Sequence, residues 1–275
     1  MLRGFYTAAA GMVAQQRRQD VLSNNMANAL TPGYKADQTT LRAFPELLIE
    51  RMEANQIPVK NGLKVPTSEL IGRLNTGVYM QETMPNFIQG PVKQTGMMTD
   101  LALSSGQVPD ENGFLFFAVQ NENGGTSYTR NGNFTVDAEG FLVSDQGYYV
   151  LDENGNQIQT NNDEFSVTQN GTIQTSNGAT FSLGIVYHPN ANELVKGANN
   201  LFEVQEGNEQ PVNARNAAGV TFQVQQGFLE QSNVDTGQTM TEMMSTYRMF
   251  ELNQRVLRAY DQNMEIAVNK IGQLG

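Results

Sequence analysis

MTEMMSTYRMFELNQRVLRAYDQNMEIAVNKI, residues 240–271, decides the fold of this chain. Met240, Met243, Tyr247, Phe250, Gln254, Leu257, Asp261, Met264, Val268 and Ile271 follow one another at alternating steps of three and four. That spacing keeps side chains on one narrow helical face, the seam of a coiled coil. The helix is expected to start after Ser232-Asn233-Val234-Asp235, with Asp235 or Asn233 as its cap. Running to about residue 273, it would span about 58 Å at 1.5 Å per residue. A helix of that length needs a partner helix or a neighbouring subunit along its apolar stripe. The other end of the chain offers a match: Phe5, Ala9, Met12, Gln16, Gln19, Leu22 and Met26 form a similar stripe in a helix expected over residues 2–28. Thr31-Pro32-Gly33 stops it, because Pro cannot continue a helix and Gly supplies the reversal.

Between the helices the pattern changes. Residues 45–54 read as a short helix with Pro at its first turn, and residues 55–76, with Pro58, Gly62, Pro66 and Gly72, as loop and connector. From about residue 78 to 224 short strands follow one another. Phe114-Leu115-Phe116-Phe117-Ala118-Val119 is the buried-strand candidate. Asn131-Gly132, Asn154-Gly155, Asn170-Gly171 and Asn177-Gly178 are turn signals of the kind that joins antiparallel strands, and Asp137-Ala-Glu-Gly140 reads as a four-residue hairpin connection. No helix-length pattern intervenes, so an antiparallel sandwich or small barrel is expected rather than a parallel sheet. The expected class is α+β. Both termini (residues 1–35 plus 235–275) form one discontinuous, coiled-coil-like helical domain. Residues 36–77 plus 225–234 form a connector, and 78–224 an inserted antiparallel β-rich central domain.

Composition narrows the function. Residues 74–233 hold four Lys/Arg against seventeen Asp/Glu, whereas residues 1–73 hold nine against six. An acidic middle argues against nucleic acid, whose phosphates need a basic surface. Asn and Gln number 54 against 45 charged residues, a surface able to hydrogen-bond to neighbours without desolvating charge. The chain has no cysteine, which excludes disulfides, thiol catalysis and Cys-based metal centres. No stretch approaches the roughly 18–20 apolar residues of a membrane span. Gly4, Thr7 and Gly11 interrupt any signal-peptide core near the N-terminus, so residues 1–28 read as a mature helix.

Residues that could carry chemistry are few. The one histidine, His188, has no Gly-x-Ser-x-Gly elbow to serve and reads as a loop or strand-end residue. Asp152-Glu-Asn154-Gly-Asn156 begins like a calcium loop, but the sixth and twelfth positions hold Gln157 and Asp163, so a hairpin turn is expected. Phosphate and dinucleotide glycine motifs are missing. No catalytic residue, cofactor, metal site or small-molecule substrate is expected. The methionines Met240, Met243, Met244, Met249 and Met264 fit a bundle face better than a peptide groove, and either use wants other helices.

Several stretches resemble the flagellar rod and hook family, the axial proteins of the bacterial flagellum. The N-terminal match is Ala10-Gly11-Met12-Val13-Ala14-Gln15-Gln16, Asp20-Val21-Leu22-Ser23-Asn24-Asn25-Met26-Ala27-Asn28 and Pro32-Gly33-Tyr34-Lys35. The C-terminal match is Gly227-Phe228-Leu229-Glu230-Gln231-Ser232-Asn233-Val234-Asp235, then Arg248, Phe250-Glu251 and Asn253. Asp100-Leu101-Ala102-Leu103, residues 128–137 and Gly140-Phe141-Leu142-Val143 resemble the family's first β segments. The resemblance implies a structural, non-enzymatic subunit of the basal-body rod or its rod–hook extension, needed for motility. It implies partnership with copies of itself and other rod and hook proteins. It also implies export through the flagellar type III apparatus without a cleaved signal, and a place in the basal body outside the cytoplasmic membrane. Departures at Leu30, at Tyr247 and over residues 104–109 leave distal rod, proximal rod and rod–hook homologue open.

The expected packing residues are Met12, Leu22, Met26, Met243, Tyr247, Phe250, Leu257, Met264, Val268 and Ile271. Asn24, Asn25 and Asn28 are expected to pin the helix end and the turn at Gly33-Tyr34 by hydrogen bonds. Gln16, Gln19, Gln254 and Asp261 interrupt the stripes, so the helices are expected to gain order on assembly. A different class of protein, a secreted or surface β-domain binding module on a coiled-coil stalk, shares the same element pattern.

Overall fold

A computed structural model describes residues 3–56, 64–121, 123–205 and 207–271. The expected helix ends at residues 2 and 272–273, and residues 57–63 of the connector, lie outside the described residues. Two helices, α1 (Arg3–Ala27) and α2 (Thr236–Ile271), bracket a long run of strands, so the class is α+β. The chain divides into two compact units. One draws on Met1–Ser23, Thr39–Thr83 and Met240–Gly275, the other on Asn24–Gln38 and Met84–Thr239.

In the first unit α1 and α2 pack antiparallel. A methyl group on Gly4 would overlap the Tyr260 hydroxyl, one on Gly11 would stand 3.0 Å from the Asn253 amide, and Arg18 pairs with Glu242 at 3.2 Å. Residues 4, 11 and 18 are spaced by seven, the repeat that returns to one helix face. The absent side chains at the first two let the helices approach closely. Buried α1 positions are Ala8, Ala14, Gln15 and Leu22; on α2 Thr246 is buried and Met243, Phe250 and Leu257 are half-buried. The Thr7 hydroxyl donates to the Thr76 carbonyl at 3.2 Å, which sets the segment around Gly77 against α1.

The same unit holds two short sheets. Strand Asp37–Ala43 pairs with Val78–Pro85, and the Phe44 and Tyr79 rings meet 5.0 Å apart beside it. Strand Leu47–Gln56 pairs antiparallel with Lys64–Leu74, in register from Leu47↔Leu74 to Gln56↔Lys64 with a bulge at Ile49/Glu50. This corrects the reading of residues 45–54 as helix and, of the 55–76 loop, of residues 55–56 and 64–74. Helix propensity is a weak preference, and a facing strand that satisfies the backbone groups overrides it. Pro66 is tolerated because each strand of a two-stranded ribbon has a free edge.

The second unit is β-rich. Its six-stranded sheet runs Leu194–Lys196, Phe202–Val204, Thr126–Thr129, Phe114–Gln120, Ile185–His188 and Val212–Asn213, every neighbour antiparallel. The strand Phe114–Gln120 is buried on both faces, which explains its unbroken apolar sequence. Leu115, Phe117 and Val119 join one core with Leu101, Ile158 and Leu183, while Phe114 and Phe116 join another with Tyr128, Leu194 and Phe202. Strands Phe134–Val136 and Leu142–Ser144 form the hairpin expected around Asp137–Gly140, closed by the Gly140 amide on the Asp137 carbonyl. At Gly155, Gly171 and Gly178 φ lies near +80°, the backbone that the Asn-Gly signals foretold. Asn131-Gly132 differs: Gly132 is there because a side chain would strike the Leu101 carbonyl, whose residue pairs back through the Leu101 amide to Gly132 O at 3.0 Å.

Candidate functional site

The most heavily bonded place in the second unit is where the two arms of the chain, residues 24–38 and 227–235, meet on the β structure. The α1 end starts it. Asn25 is buried; its amide donates to the Asp37 carbonyl at 2.8 Å while its oxygen accepts the Asp37 amide at 2.8 Å and the Tyr34 hydroxyl at 3.0 Å. The Tyr34 hydroxyl also lies 2.8 Å from Asn24 Oδ1, and Asn28 accepts the Thr31 hydroxyl at 3.1 Å. Asn28 serves the helix end itself, its amide donating to the Asn24 carbonyl at 3.0 Å, while Asn24 and Asn25 hold Tyr34 and the Asp37 backbone against it. Gly33 has φ +68°, and a Cβ there would run into the Arg130 and Asn131 backbone; its amide donates to the Glu230 carbonyl at 2.9 Å.

One residue further on, Lys35 enters the interior. Its ammonium donates to Glu230 Oε1 at 2.6 Å and to the Ile88 carbonyl at 2.8 Å. The Arg130 guanidinium donates to Glu230 Oε2 at 2.5 Å, to the Leu115 carbonyl at 2.9 Å and to the Leu103 carbonyl. The Gly90 amide also donates to Glu230 Oε1, at 2.9 Å. All three charged side chains are essentially without solvent exposure. Two cations thus share one carboxylate, and both also stand over the Phe114 ring, at 4.9 and 4.7 Å from its centre. The Asn233 side chain ties the C-terminal arm to three further backbone groups, accepting from the Ala36 amide and donating to the Asn86 and Ile88 carbonyls. Lys196 closes the outer side, 3.0 Å from Asp37 and 3.9 Å over the Tyr34 ring.

Burial works on these charges against their partners. It pushes the Lys35 ammonium down to about 8, with Glu230 pulling up and Arg130 adding to the fall. Burial also lowers Arg130 and raises Glu230, but the Arg130 and Lys35 charges outweigh burial at Glu230 and leave its carboxyl below the usual range. Burial, with the Asp37 charge, raises the Tyr34 phenol far above its ordinary value. Glu230 is thus held ionised and Tyr34 neutral at neutral pH, whereas Lys35 is brought within about a unit of losing its proton.

The expected packing residues divide. Leu22 is buried, and Met12, Met26, Met243, Phe250 and Leu257 are half-buried. Tyr247, Met264 and Val268 are exposed, Val268 by 72%. The side chain of Ile271 lies outside the described residues. The side chains that α2 turns inward include Thr246, Asn253 and Tyr260, one residue before the apolar stripe at Tyr247, Gln254 and Asp261. Of the stripe, Tyr247, Met264 and Val268 thus keep their apolar surface open.

Sequence reading missed roles for Lys35, Arg130, Glu230 and Asn233. All four stand inside the quoted motifs, and a lone charge in apolar strand sequence, as at Glu230 in Phe228–Glu230, was the available signal. His188, fully buried, ends its strand: Nδ1 accepts the Asn190 amide at 3.1 Å and Nε2 lies 3.1 Å from the Glu209 carbonyl. The Asp152 carboxylate folds onto the amides of Asn154 and Asn156, at 2.8 Å each, as a turn does.

Three family models match the chain. "Flagella basal body rod protein" covers residues 5–35, "Flagellar hook protein FlgE/F/G D1 domain" 112–175, and "Flagellar basal body rod FlgEFG protein C-terminal" 225–270. Lys35, Arg130 and Glu230 each fall in a different one of these segments. The flagellar hook-basal body complex protein FlhO of Bacillus subtilis is 40% identical over 279 residues, covering the whole of both chains. The flagellar basal-body rod protein FlgG of Borreliella burgdorferi is 29% identical over 98% of each chain, and FlgF of Caulobacter vibrioides 30% identical over all of this chain and 99% of that one.

Proposed function

The chain belongs to the flagellar basal-body rod and hook family, and on that premise we propose that it is a structural subunit of the rod or its rod–hook extension. It assembles with other flagellar axial proteins in the basal body, and it is not an enzyme. The observation that carries this reading is end-to-end similarity at 40% identity to a hook-basal body complex protein, with no large insertion on either side. The work of such a subunit is mechanical. The terminal helices, residues 1–35 and 235–275, pack as a coiled-coil-type seam within and between copies and line the axial tube. Residues 36–77 and 225–234 connect them to the β domain of 78–224, which forms an outer layer. The half-buried residues Met12, Met26, Met243, Phe250 and Leu257 hold the seam, and the exposed Tyr247, Met264, Val268 and the neighbouring Ile271 face other copies. The asparagine cluster and the Lys35–Glu230–Arg130 fastener, in this reading, keep the arms fixed to the β structure while torque passes through. The subunit leaves the cytoplasm unfolded through the flagellar export apparatus, as the family reading implies.

The test is a deletion strain examined by swimming assay and by electron microscopy of isolated basal bodies, complemented with a tagged chain. Loss of motility, an incomplete axial structure and recovery of the tag in basal bodies are expected. Full motility with the tag absent from basal bodies, or surface display in cells lacking the flagellar export gate, overturns the proposal.

A further inference from the structure

The first unit carries two surfaces that its own described residues leave open. One is a groove of about 520 Å³ along α1, walled by Tyr6, Ala10 and Val13 of the helix and by Phe44 and Tyr79, with Arg17 at one end. Tyr6 and Val13 are exposed by 64% and 45%. The groove lies on the far side of α1 from α2. At about 100° per residue, positions 6, 10, 13 and 17 stand roughly 200° around from the line of Gly4 and Gly11 that meets α2. The other surface is the stretch of α2 beyond Tyr260, where nine of residues 261–270 are exposed. Met264 and Val268 share one face there with Asp261 and Glu265, at offsets of three, four and seven.

We propose that the groove of one copy receives residues 261–270 of α2 from a second copy, the contact resting on the axial-subunit reading above. The two surfaces match in length, since the rise from Tyr6 to Arg17 and that across 261–270 are both about 15 Å. They match in charge. Arg17 in the groove and Asp261 and Glu265 on α2 are all exposed and make no salt bridge among the described residues. They match in order too. Copies displaced along a common axis keep the antiparallel sense of α1 and α2, so the acidic start of the stretch meets the Arg17 end. Val268 then falls beside Ala10, and the alanines at 9, 10 and 14 give the incoming helix room to approach. The groove and the helix end are different surfaces, so the contact is heterologous. Such a contact repeats head to tail and builds an open filament where its rotation does not close a ring, whereas a two-fold pair would stop at a dimer.

The chain has no cysteine, so engineered ones report cleanly. Copies carrying Ala10→Cys and copies carrying Val268→Cys, each with its own tag, are expressed together and oxidised in assembled basal bodies. A disulfide-linked dimer with both tags is expected, because bridging requires Cα atoms within about 7 Å. Arg17→Glu should cut incorporation at least about tenfold, and Asp261→Arg with Glu265→Arg should restore it. Dimers of like copies in place of mixed ones overturn the proposal. Closure within a single doubly substituted chain, or capture of a different protein at position 10, does so as well. Tagged chain present in basal bodies without the mixed dimer sinks this contact alone. Chain absent from basal bodies even in its unsubstituted form sinks the functional reading beneath it.

Discussion

Replacing Glu230 by Gln removes the one anion between two buried cations while keeping the side chain's shape. The cost can be worked from the cluster. Arg130 cannot shed its proton, so it remains a buried charge without a counter-charge, which costs about 3–5 kcal/mol. Lys35 has another route. Burial already lowers its pKa to about 8, so shedding the proton at pH 7 costs only on the order of 1 kcal/mol more. The Glu230→Gln variant should therefore lose about 4–6 kcal/mol. Lys35→Met should behave differently. It relieves the lysine's own penalty and leaves a balanced Arg130–Glu230 pair, at the cost of orphaning the Ile88 carbonyl from that donor, so its net effect stays within about 2 kcal/mol. The assay is urea unfolding of the full chain. Five of the nine tyrosines (Tyr34, Tyr128, Tyr148, Tyr149 and Tyr187) lie in the β-rich unit and four in the first unit, so the near-ultraviolet tyrosine transition that does not coincide with far-ultraviolet dichroism of the helices at 222 nm reports the β-rich unit. At an m-value of about 2 kcal/mol per molar urea, the Gln variant's β-unit midpoint should fall by about 2–3 M and the Met variant's by under about 1 M. Equal losses for the two substitutions, or a loss under about 1.5 kcal/mol for Glu230→Gln, would refute the reasoning that one carboxylate neutralises both cations.

Two further outcomes follow from the same region. Because the Glu230 carboxyl lies below its unfolded value, its contribution is complete above about pH 4.5 and disappears as pH falls through the native value. Lys35, lowered to about 8, has the opposite edge, and unfolding free energy should rise from about pH 8 toward 10.5; urea midpoints across pH check both slopes, and the Lys35→Met variant should show a smaller alkaline rise, the remainder coming from Lys196, which burial also lowers. Gly33→Ala forces an L side chain into φ +68° against the Arg130 and Asn131 backbone, so a loss of about 3 kcal/mol or more is expected by the same urea assay. A near-neutral result would mean the turn relaxes freely.

The sequence made some elements legible because their cause is local. The steps of three and four in residues 240–271 are a property of helix geometry, and α2 follows them over its whole described length. The Asn-Gly pairs at Gly155, Gly171 and Gly178 mark turns because only a few residue types accept the backbone they need. The apolar run Phe114–Val119 fits a strand buried on both faces, being too short for a core helix and set among turn signals. The hairpin of Leu47–Gln56 with Lys64–Leu74 was hidden. Glu46 through Ala54 carries good helix formers, and the partner that draws it into a strand lies across the loop. The fastener was hidden too. Lys35, Arg130 and Glu230 are 95 and 100 residues apart along the chain, and nothing in the spacing of single charges announces that they share a cavity.

What the amino-acid order alone determined is the pair of long terminal helices, the short-stranded middle and the family. Each rests on periodicity, turn chemistry or motif within a few tens of residues. What only the tertiary structure decided is which face each helix turns inward and which charges are buried together. Gly4 and Gly11 draw α1 against Tyr260 and Asn253, so the close line of contact is set by small and polar residues. The large apolar side chains that dominate the pattern, Tyr247 and Val268 among them, are left outside. Hydrophobicity ranks side chains by their preference for leaving water, but close approach between helices is governed by which side chains are small enough to permit it, and that depends on both surfaces at once.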